Sequence, residues 1–443
     1  MDAAFPASPA LNYNVGVYFT LAVGCFLLNS GGAACLLAQA NIERWKKTVF
    51  VVVALASLAL KLFVATRGHN YDMDSWGIAA SLVLQGKSVY ANTSRITTGP
   101  VWPIILAGLK QLSTLLPAMG GEAFHVAVAA FLGVADVALA ALLSAKYRYG
   151  AGIFFLSCPA TILLTGFHSQ FENFALLAGL ASWLLIRSGS ATTRRLVLAA
   201  GLQGASLTIK HILFLFPLWV LFWPQLGSWR RRVAYVAITY GIFGLSFLPW
   251  MLDPPSRAGI YHNVFQYRSV FILSLSWLIV SLRPFALVSP AASAILTLGW
   301  TTAVIAVGIV VGRQKRDLFP AYLLAVFAFS PALVDQYLAV PLLAGAILYT
   351  SWPVWALVGT ATVGLISSPA DILRFPFNMV FYIAMVSTQI CAVALLLVQL
   401  RSASASRTAP ITTHVAVQKA LTLAFGSIAL VLVVLLVKSF LLH

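Results

Sequence analysis

Long apolar runs separated by short polar stretches recur from one end of the chain to the other. Most are about as long as the 17–25 residues that a helix needs to cross a hydrocarbon layer of about 30 Å. We therefore expect an all-α polytopic membrane protein with about 11–14 spans, forming a single transmembrane domain over residues 1–443. The clearest predicted spans are 15–39, 48–65, 123–145, 149–166, 171–187, 233–252, 289–312, 318–335, 336–351, 353–368, 377–400 and 415–440. The shorter segments 196–209, 212–223 and 270–283 fit thin spans or a re-entrant hairpin.

Composition supports membrane residence. The 443 residues are 60% hydrophobic and only 9% charged, with a mean hydropathy of +0.92. A soluble domain of this size would need a far more polar exterior. The four cysteines fall inside apolar runs without metal-ligand or disulfide spacing, so we interpret them as small buried hydrophobic residues.

The positions of the basic residues that give the net charge of +17 indicate how the chain is oriented in the membrane. Basic residues cluster in short connections at alternating ends of the predicted spans, which is the positive-inside pattern of cytoplasmic loops. This distribution argues against a nucleic-acid partner. The clusters are Arg44, Lys46 and Lys47; Lys146 and Arg148; Arg187, Arg194 and Arg195; Arg230–Arg232; Arg313, Lys315 and Arg316; and Arg401 and Arg407, the last pair in a predicted cytoplasmic loop at 401–414.

Most of the eleven acidic residues fall on the side of the membrane opposite the basic loops. With the basic loops placed inside, the predicted outer face or its rim holds Asp72, Asp74, Glu122, Glu172, Asp253, Asp335 and Asp371. Acid–base chemistry, if the chain performs it, is therefore expected at the non-cytoplasmic face.

The longest polar-rich stretch, 66–122, is a candidate outer catalytic loop. It opens with the segment 69–76, HNYDMDSW, which carries Asp72 and Asp74. One carboxylate can act as a base while the other tunes it, or the two can share a divalent cation such as Mg²⁺ or Mn²⁺, although two oxygens make an incomplete site. The alternative is a solvated loop with helix-capping aspartates. The amphipathic stretch after Trp76, ending at Gly86, predicts a short helix in the membrane interface.

Four further polar clusters fall near predicted span ends. His168–Asn173 joins two predicted spans with more polar groups than a connector needs, and Lys210 with His211 interrupts an apolar region where ionisable groups are costly. The remaining clusters are Tyr261–Arg268, with a potential phosphate-binding guanidinium, and Asp335–Tyr337. A structural role is the alternative for each.

These features together resemble the GT-C superfamily of glycosyltransferases that use polyprenyl-phosphate sugars. The stretch Asp72–Pro103 has the acidic pair, a Gly-x-x-x-Tyr and a Gly-Pro-x-Trp-Pro, in a layout similar to the first lumenal loop of GPI-anchor mannosyltransferases. The blocks 159–180, 206–222 and 259–270 are similar to those of bacterial and dolichyl-phosphate-glucose-type members. The latter carry a His-Glu-Lys block in a late outer loop, where this chain has Val334–Tyr337 without the histidine.

The resemblance implies roles for individual residues. A first-loop aspartate, Asp72 or Asp74, would be the general base of an inverting transfer of a sugar, as a hexosyl- or mannosyltransferase would catalyse. Basic residues would bind the donor phosphate: Lys210, His211 and Arg268. Sugar or acceptor contacts would come from Trp76, His168, Gln170, Glu172, His262, Asp335 and Gln336.

The implied partners are a polyprenyl-phosphate-sugar donor lipid, a glycan or lipid-linked acceptor and membrane lipids. The expected location is a bacterial inner membrane or the endoplasmic reticulum membrane, with the active site on the non-cytoplasmic side. The chief alternative is a transporter or flippase of lipid-linked sugars, for which charged residues in broken helices near mid-membrane would be expected.

Overall fold

The computed structural model describes residues 43–189, 191–266, 290–331, 334–349, 351–366 and 379–401, and every regular element among them is helical. The predicted spans 15–39 and 415–440, the segment 270–283 and residues 402–414 lie outside this part of the chain.

The described residues from 43 to 209 contain nine α-helices. Three 3₁₀ turns, Pro117–Glu122, His211–Leu213 and Pro224–Leu226, connect some of the elements. The helices are α1 Glu43–Ala65, α2 Tyr71–Leu84, α3 Val89–Asn92, α4 Val101–Ser113, α5 Ala123–Lys146, α6 Tyr149–Ser157, α7 Pro159–Gly166, α8 Glu172–Ile186 and α9 Thr193–Ile209.

The described residues after 215 also form helices, and they include a π-helical turn at Ile260–Phe265 and a 3₁₀ turn at Asp335–Leu338. The helices are α10 Phe216–Leu221, α11 Trp229–Ser246, α12 Leu248–Met251, α13 Pro254–Gly259, α14 Pro290–Arg313, α15 Leu318–Phe329, α16 Ala339–Ile347, α17 Trp352–Ile366 and α18 Met379–Arg401.

Several of these helices are built to cross a membrane. Within the described ranges, four are long and apolar enough: Trp45–Ala65, Pro117–Lys146, Ala294–Arg313 and Ile383–Arg401. A bent pair, α6 with α7, raises this number to five if it is one span, and shorter apolar helices of 10–17 residues pack around them. The protein is thus an α-helical membrane protein, and the larger count of about 11–14 spans stays a prediction.

The segment 149–166, predicted as one span, consists of two helices that meet at a bend. α6 and α7 meet at an angle of 58°. Pro159 occupies the first turn of α7, and Cys158 before it is extended (φ −70°, ψ 120°). A proline cannot donate a helical hydrogen bond and restricts the residue before it to extended conformations, so the helix restarts in a new direction.

The candidate outer loop 66–122 folds largely into helices. The interfacial helix expected after Trp76 begins earlier, at Tyr71, because Asn70 caps it by accepting a hydrogen bond from the Asp72 backbone amide. It ends at Leu84, and Gly86 beyond it has a positive φ of 68°. α2 packs against α4.

Three of the predicted basic clusters, those around Lys46, Lys146 and Arg187, come together at one end of the helices. The Tyr149 hydroxyl donates to the Lys46 carbonyl (2.5 Å), and Arg187 donates to the Lys146 carbonyl (2.7 Å). Since α1 and α5 both run from one end of the packed helices to the other, the loops that follow α1 and precede α5 lie at the opposite end. His69 and His125 meet there, with ring centroids 5.6 Å apart.

A cluster of aromatic side chains, which we call the aromatic floor, packs beneath that opposite end. Trp102 of α4 stacks on Phe171 with ring centroids 4.3 Å apart and planes 11° apart. Trp76 contacts both rings edge-on. This packing fixes α2 and α4 against the start of α8.

Candidate functional site

The first turn of α2 presents one carboxylate to the interior of the helical domain. Gln170 Nε2 donates a 2.5 Å hydrogen bond to Asp72 Oδ2, and Asn70 Nδ2 lies 3.5 Å from the same oxygen. Asn70 Nδ2 is also 3.0 Å from His168 Nδ1. Asp72, Asn70, His168 and Gln170 therefore form one polar group, although the two pairs are nearly 100 positions apart in sequence.

A tight turn between α7 and α8 supplies the second part of the site. The amide of His168 bonds to the Leu163 carbonyl and that of Gln170 to the Leu164 carbonyl, both at 3.0 Å. Ser169 lies between them with φ of 49°, a left-handed conformation that is uncommon for serine. His168, Ser169 and Gln170 are fully buried. Backbone strain at a buried polar turn is typical of functional sites, where the surroundings hold it in place.

Lys210 brings in a third element, the end of α9. Its ammonium bonds to Glu172 Oε1 and, at 2.8 Å, to Gln336 Oε1. It also lies over the rings of Phe171 (4.7 Å) and Tyr337 (5.8 Å). Glu172 is completely buried and Lys210 nearly so. A buried carboxylate and ammonium that bond to each other are far less costly than either group alone.

The turn Asp335–Leu338 completes the cluster and links its two halves. Asp335 Oδ2 lies 3.4 Å from His168 Nδ1, while the adjacent Gln336 bonds to Lys210. The cluster thus consists of Asn70, Asp72, His168, Gln170, Glu172, Lys210, Asp335 and Gln336, contributed by four separate parts of the chain. We refer to it as the polar cluster.

The surroundings shift the pKa of Asp72 and of His168 in opposite directions. Burial, followed by the nearby Asp335 carboxylate, raises the pKa of Asp72, while the Gln170 hydrogen bond and the charge of Lys210 oppose the rise. Burial lowers the pKa of His168 against the opposing effect of Asp335 and Asp72. The site therefore combines a carboxylate of increased basicity with an imidazole that favours its neutral form.

The turn also holds buried polar atoms without a protein partner. Among the described residues, no hydrogen-bond partner is found for Ser169 Oγ, Gln170 Oε1, Glu172 Oε2 or either amide atom of Asn173. An unsatisfied buried polar group costs about 1–3 kcal/mol, so a concentration of them is unusual in a purely structural turn. A hydroxyl-rich ligand or bound water would satisfy these groups.

Several predicted site residues lie elsewhere. Asp74 points away from Asp72 and lines a cavity on another side of α2, as expected for residues two positions apart on a helix. Trp76 is 4% exposed and lies in the aromatic floor. His211 adjoins Lys210 but makes no hydrogen bond to the cluster, and exposed His262 lies 3.0 Å from Gln266 Oε1. Arg268 lies outside the described residues.

One feature of the site and one feature beside it are not among the predictions made from the sequence. Asn70 serves both as the helix cap and as the bridge to His168, and its position immediately before an amphipathic helix is the signal that could have indicated it. Below the site, Lys61 of α1 bonds to Asp136 of α5 at 2.6 Å, and Thr165 of α7 donates to the same oxygen at 2.7 Å. Both charged side chains of this pair are at most 1% exposed.

A shared divalent cation between Asp72 and Asp74 does not fit this geometry, because the two carboxylates face different surroundings. In the described ranges, no three His, Cys, Asp or Glu side chains come together as potential metal ligands.

Comparison with known proteins finds no matching family model, no matching curated protein and no matching solved structure.

Proposed function

We propose that the protein is an inverting glycosyltransferase that uses a polyprenyl-phosphate-linked sugar and has Asp72 as its general base. The observation that carries this proposal is the polar cluster, in which Asp72, an ammonium group and several unpaired hydrogen-bonding atoms meet at one end of a membrane protein. The resemblance of the segment Asp72–Pro103 to GT-C first loops points to the same reaction.

The chemistry assigned to Asp72 is proton abstraction. Its carboxylate takes the proton of an acceptor hydroxyl as the oxygen attacks the anomeric carbon of the donor sugar. The bond from that carbon to the phosphate oxygen breaks on the opposite face, so that the polyprenyl phosphate leaves with the electron pair and the configuration inverts. A raised carboxyl pKa improves a general base that works near neutral pH.

Lys210 is the best-placed group for the departing phosphate. An ammonium has three donors, and the two bonds to Glu172 and Gln336 use two of them. A fixed positive charge in a site with little water stabilises the charge that develops on a leaving phosphate. Gln170, Glu172 and Asn173 would supply hydrogen bonds to sugar hydroxyls.

We further propose that the cluster faces the non-cytoplasmic side and that the chain is multi-pass. The basic loops around Lys46, Lys146 and Arg187 meet at the end of the helices opposite the cluster, and such loops favour the cytoplasm. An impermeant maleimide should label a Ser94→Cys variant in intact cells and an Arg148→Cys variant only after permeabilisation. The reverse pattern would contradict the proposed orientation.

The central test compares two neighbouring aspartates. The purified full chain, reconstituted in lipid, is assayed with labelled polyprenyl-phosphate hexose and pentose donors and with membrane extracts as acceptor. Asp72→Asn should lower transfer by about 10²–10⁴-fold, the usual contribution of a general base. Asp74→Asn is the matched control and should retain most activity. Unchanged transfer in the Asp72 variant would refute the base assignment.

A flippase or transporter of lipid-linked sugars is the second candidate, because a buried ion pair, Lys61–Asp136, lies among the helices next to the bent pair α6 and α7. Proteoliposomes separate the two functions. Movement of a labelled lipid-linked sugar between leaflets without any sugar transfer would favour this candidate.

A further inference from the structure

A cavity lies beside α2, on the side that carries Asp74. Its volume is about 600 Å³, within the range of about 300–1,000 Å³ that is usual for small-molecule sites. Its walls come from α2, α4, the start of α5 and the segment around Arg95. Asp72 and the other members of the polar cluster do not line it.

Charged groups of both signs line this cavity. Arg95 and Lys110 provide two cations, and Asp74 and Glu122 provide two carboxylates. Lys110 Nζ is held by the Ser81 hydroxyl (2.6 Å) and lies 3.4 Å from the Gly77 carbonyl. In the described part of the chain, Lys110 forms no ion pair with either carboxylate. Lys110 therefore offers the cavity a cation for a negative group, while Asp74 and Glu122 offer carboxylates for a positive one.

His125 is the most buried polar side chain of the cavity wall, at 2% exposure. Glu122 Oε2 lies 3.6 Å from its Nδ1, beyond ordinary hydrogen-bond distance. Among the described residues, neither ring nitrogen makes a hydrogen bond of ordinary geometry, although the Gly166 backbone lies close to the ring, and Glu122 Oε2 makes none either. The buried imidazole of His125 and the partly exposed carboxylate of Glu122, whose side chain is 39% exposed, can accept hydrogen bonds from a ligand.

The surroundings of the cavity are apolar. Ile78 and Leu82 of α2 line it together with Phe124. Nearby, Leu112, Leu115 and Met119 are large hydrophobic residues that are 44–74% exposed. Exposed apolar side chains next to an amphipathic helix are typical of a segment lying in a membrane interface. The ligand of this cavity is thus expected to be an amphiphile.

We propose that this cavity binds the headgroup of a zwitterionic phospholipid that carries a primary amine. The phosphate lies beside Arg95 and Lys110, and the ammonium lies beside Asp74, Glu122 and His125, to which it donates hydrogen bonds. A trimethylated amine has no N–H donor and satisfies none of these acceptors. An anionic headgroup without an amine leaves the two carboxylates without a counter-charge. The site is separate from the polar cluster and does not depend on glycosyl transfer.

The test measures lipid selectivity. The delipidated full chain in detergent is incubated with equimolar phosphatidylethanolamine, phosphatidylcholine and phosphatidylglycerol of identical acyl chains, and retained lipids are counted by native mass spectrometry. The ethanolamine lipid should bind about tenfold more tightly than the choline lipid, a difference of about 1.4 kcal/mol. Equal retention of these two lipids, or preferential retention of the glycerol lipid, would overturn the proposal.

Matched variants locate the binding. A Cβ added at Gly77 meets nothing within 4 Å, and this residue lines the cavity, so Gly77→Leu should fill it and abolish the preference. Gly108→Leu also projects into open space, outside the cavity, and should keep the preference. Asp74→Asn combined with Glu122→Gln should reduce the preference to near one, whereas Asp253→Asn, outside the cavity, should leave it unchanged. Retained preference in both cavity variants would refute the site.

Discussion

The side-chain amide of Gln170 donates a 2.5 Å hydrogen bond to the carboxylate of Asp72, 98 positions earlier in the chain. This bond joins the strained turn after α7 to the first turn of α2. Because it stabilises the charged carboxylate, it lowers the pKa of Asp72, whereas burial and Asp335 raise it. The pKa of Asp72 is therefore adjusted in part by a residue that is remote in sequence, although burial has the largest effect.

Replacing Gln170 by methionine should shift the pH dependence of transfer. Methionine has a similar size but no donor, so the pKa of Asp72 rises further above its usual value. A general base acts when deprotonated, and activity is lost as the pH falls through its pKa. The acidic limb of kcat/KM should therefore move to higher pH in Gln170→Met, with the plateau at high pH partly retained. An acidic limb that stays in place, or moves to lower pH, would contradict the role of this bond.

Asp72→Asn should stabilise the protein while it inactivates it. The folded state raises the pKa of Asp72, so the folded protein binds this proton more tightly than the unfolded chain and loses stability as the pH rises through that range. Asparagine does not ionise, so the variant does not lose stability in this way as the pH rises. Thermal unfolding in detergent should show the variant above the wild type at pH 7–8 and the difference shrinking below about pH 4, near the ordinary carboxyl pKa. A variant that is less stable at neutral pH would refute this expectation.

Helical membrane character could be read from the sequence because apolar runs of spanning length leave few alternatives. The polar cluster was predictable in part for a similar reason: His168, Gln170, Glu172 and Lys210 are polar groups next to apolar runs, where each needs an explanation. Their mutual pairing was not predictable. Asp72 and Asp74 point in different directions because both lie in the helix α2. The sequence alone does not show that α2 already begins at Tyr71, so it does not show which of the two carboxylates faces the cluster.

The break at Cys158–Pro159 and the pairing of Lys61 with Asp136 also required the structure. Each side chain of the pair lies in an apolar run without a nearby partner in sequence, so the pairing depends on how α1 packs against α5. The proline was visible, but a proline in a membrane helix can produce either a mild kink or a complete break.

Lys210→Met should leave the buried carboxylate of Glu172 uncompensated. Breaking such a pair from one side costs about 3–5 kcal/mol, and the free energy of unfolding should fall accordingly. Adding Glu172→Gln removes the stranded charge and should restore most of the stability. Sugar transfer should remain lost in the double variant, because the phosphate has lost its ammonium group. Recovery of transfer together with stability would show that Lys210 is only structural.

The Lys61–Asp136 pair provides the contrasting case. Lys61→Met should likewise destabilise the protein by about 3–5 kcal/mol, since Asp136 is fully buried. The double variant Lys61→Met with Asp136→Asn should regain both stability and transfer, because this pair holds α1, α5 and α7 together without contacting the polar cluster. If stability returned but transfer did not, or leaflet-to-leaflet movement of lipid-linked sugar were lost, the pair would have a functional role and the transporter hypothesis would gain support.

Gly99 of the Gly-Pro-x-Trp-Pro segment lies where the start of α4 approaches the end of α9, so substituting it probes this close contact. A Cβ added there would lie 2.0 Å from the Thr208 carbonyl oxygen, two residues before Lys210. Backbone cannot give way as a flexible side chain can, so Gly99→Ala should force α9 and α4 apart. We expect a loss of about 1–3 kcal/mol in stability, the usual cost of overpacking, and reduced transfer because Lys210 moves with the last turn of α9. Gly108→Ala, whose Cβ meets open space in the same helix, should leave transfer unchanged and stabilise α4 slightly. Equal behaviour of the two alanine variants in thermal unfolding and transfer would show that the close approach of Gly99 to Thr208 does not position Lys210.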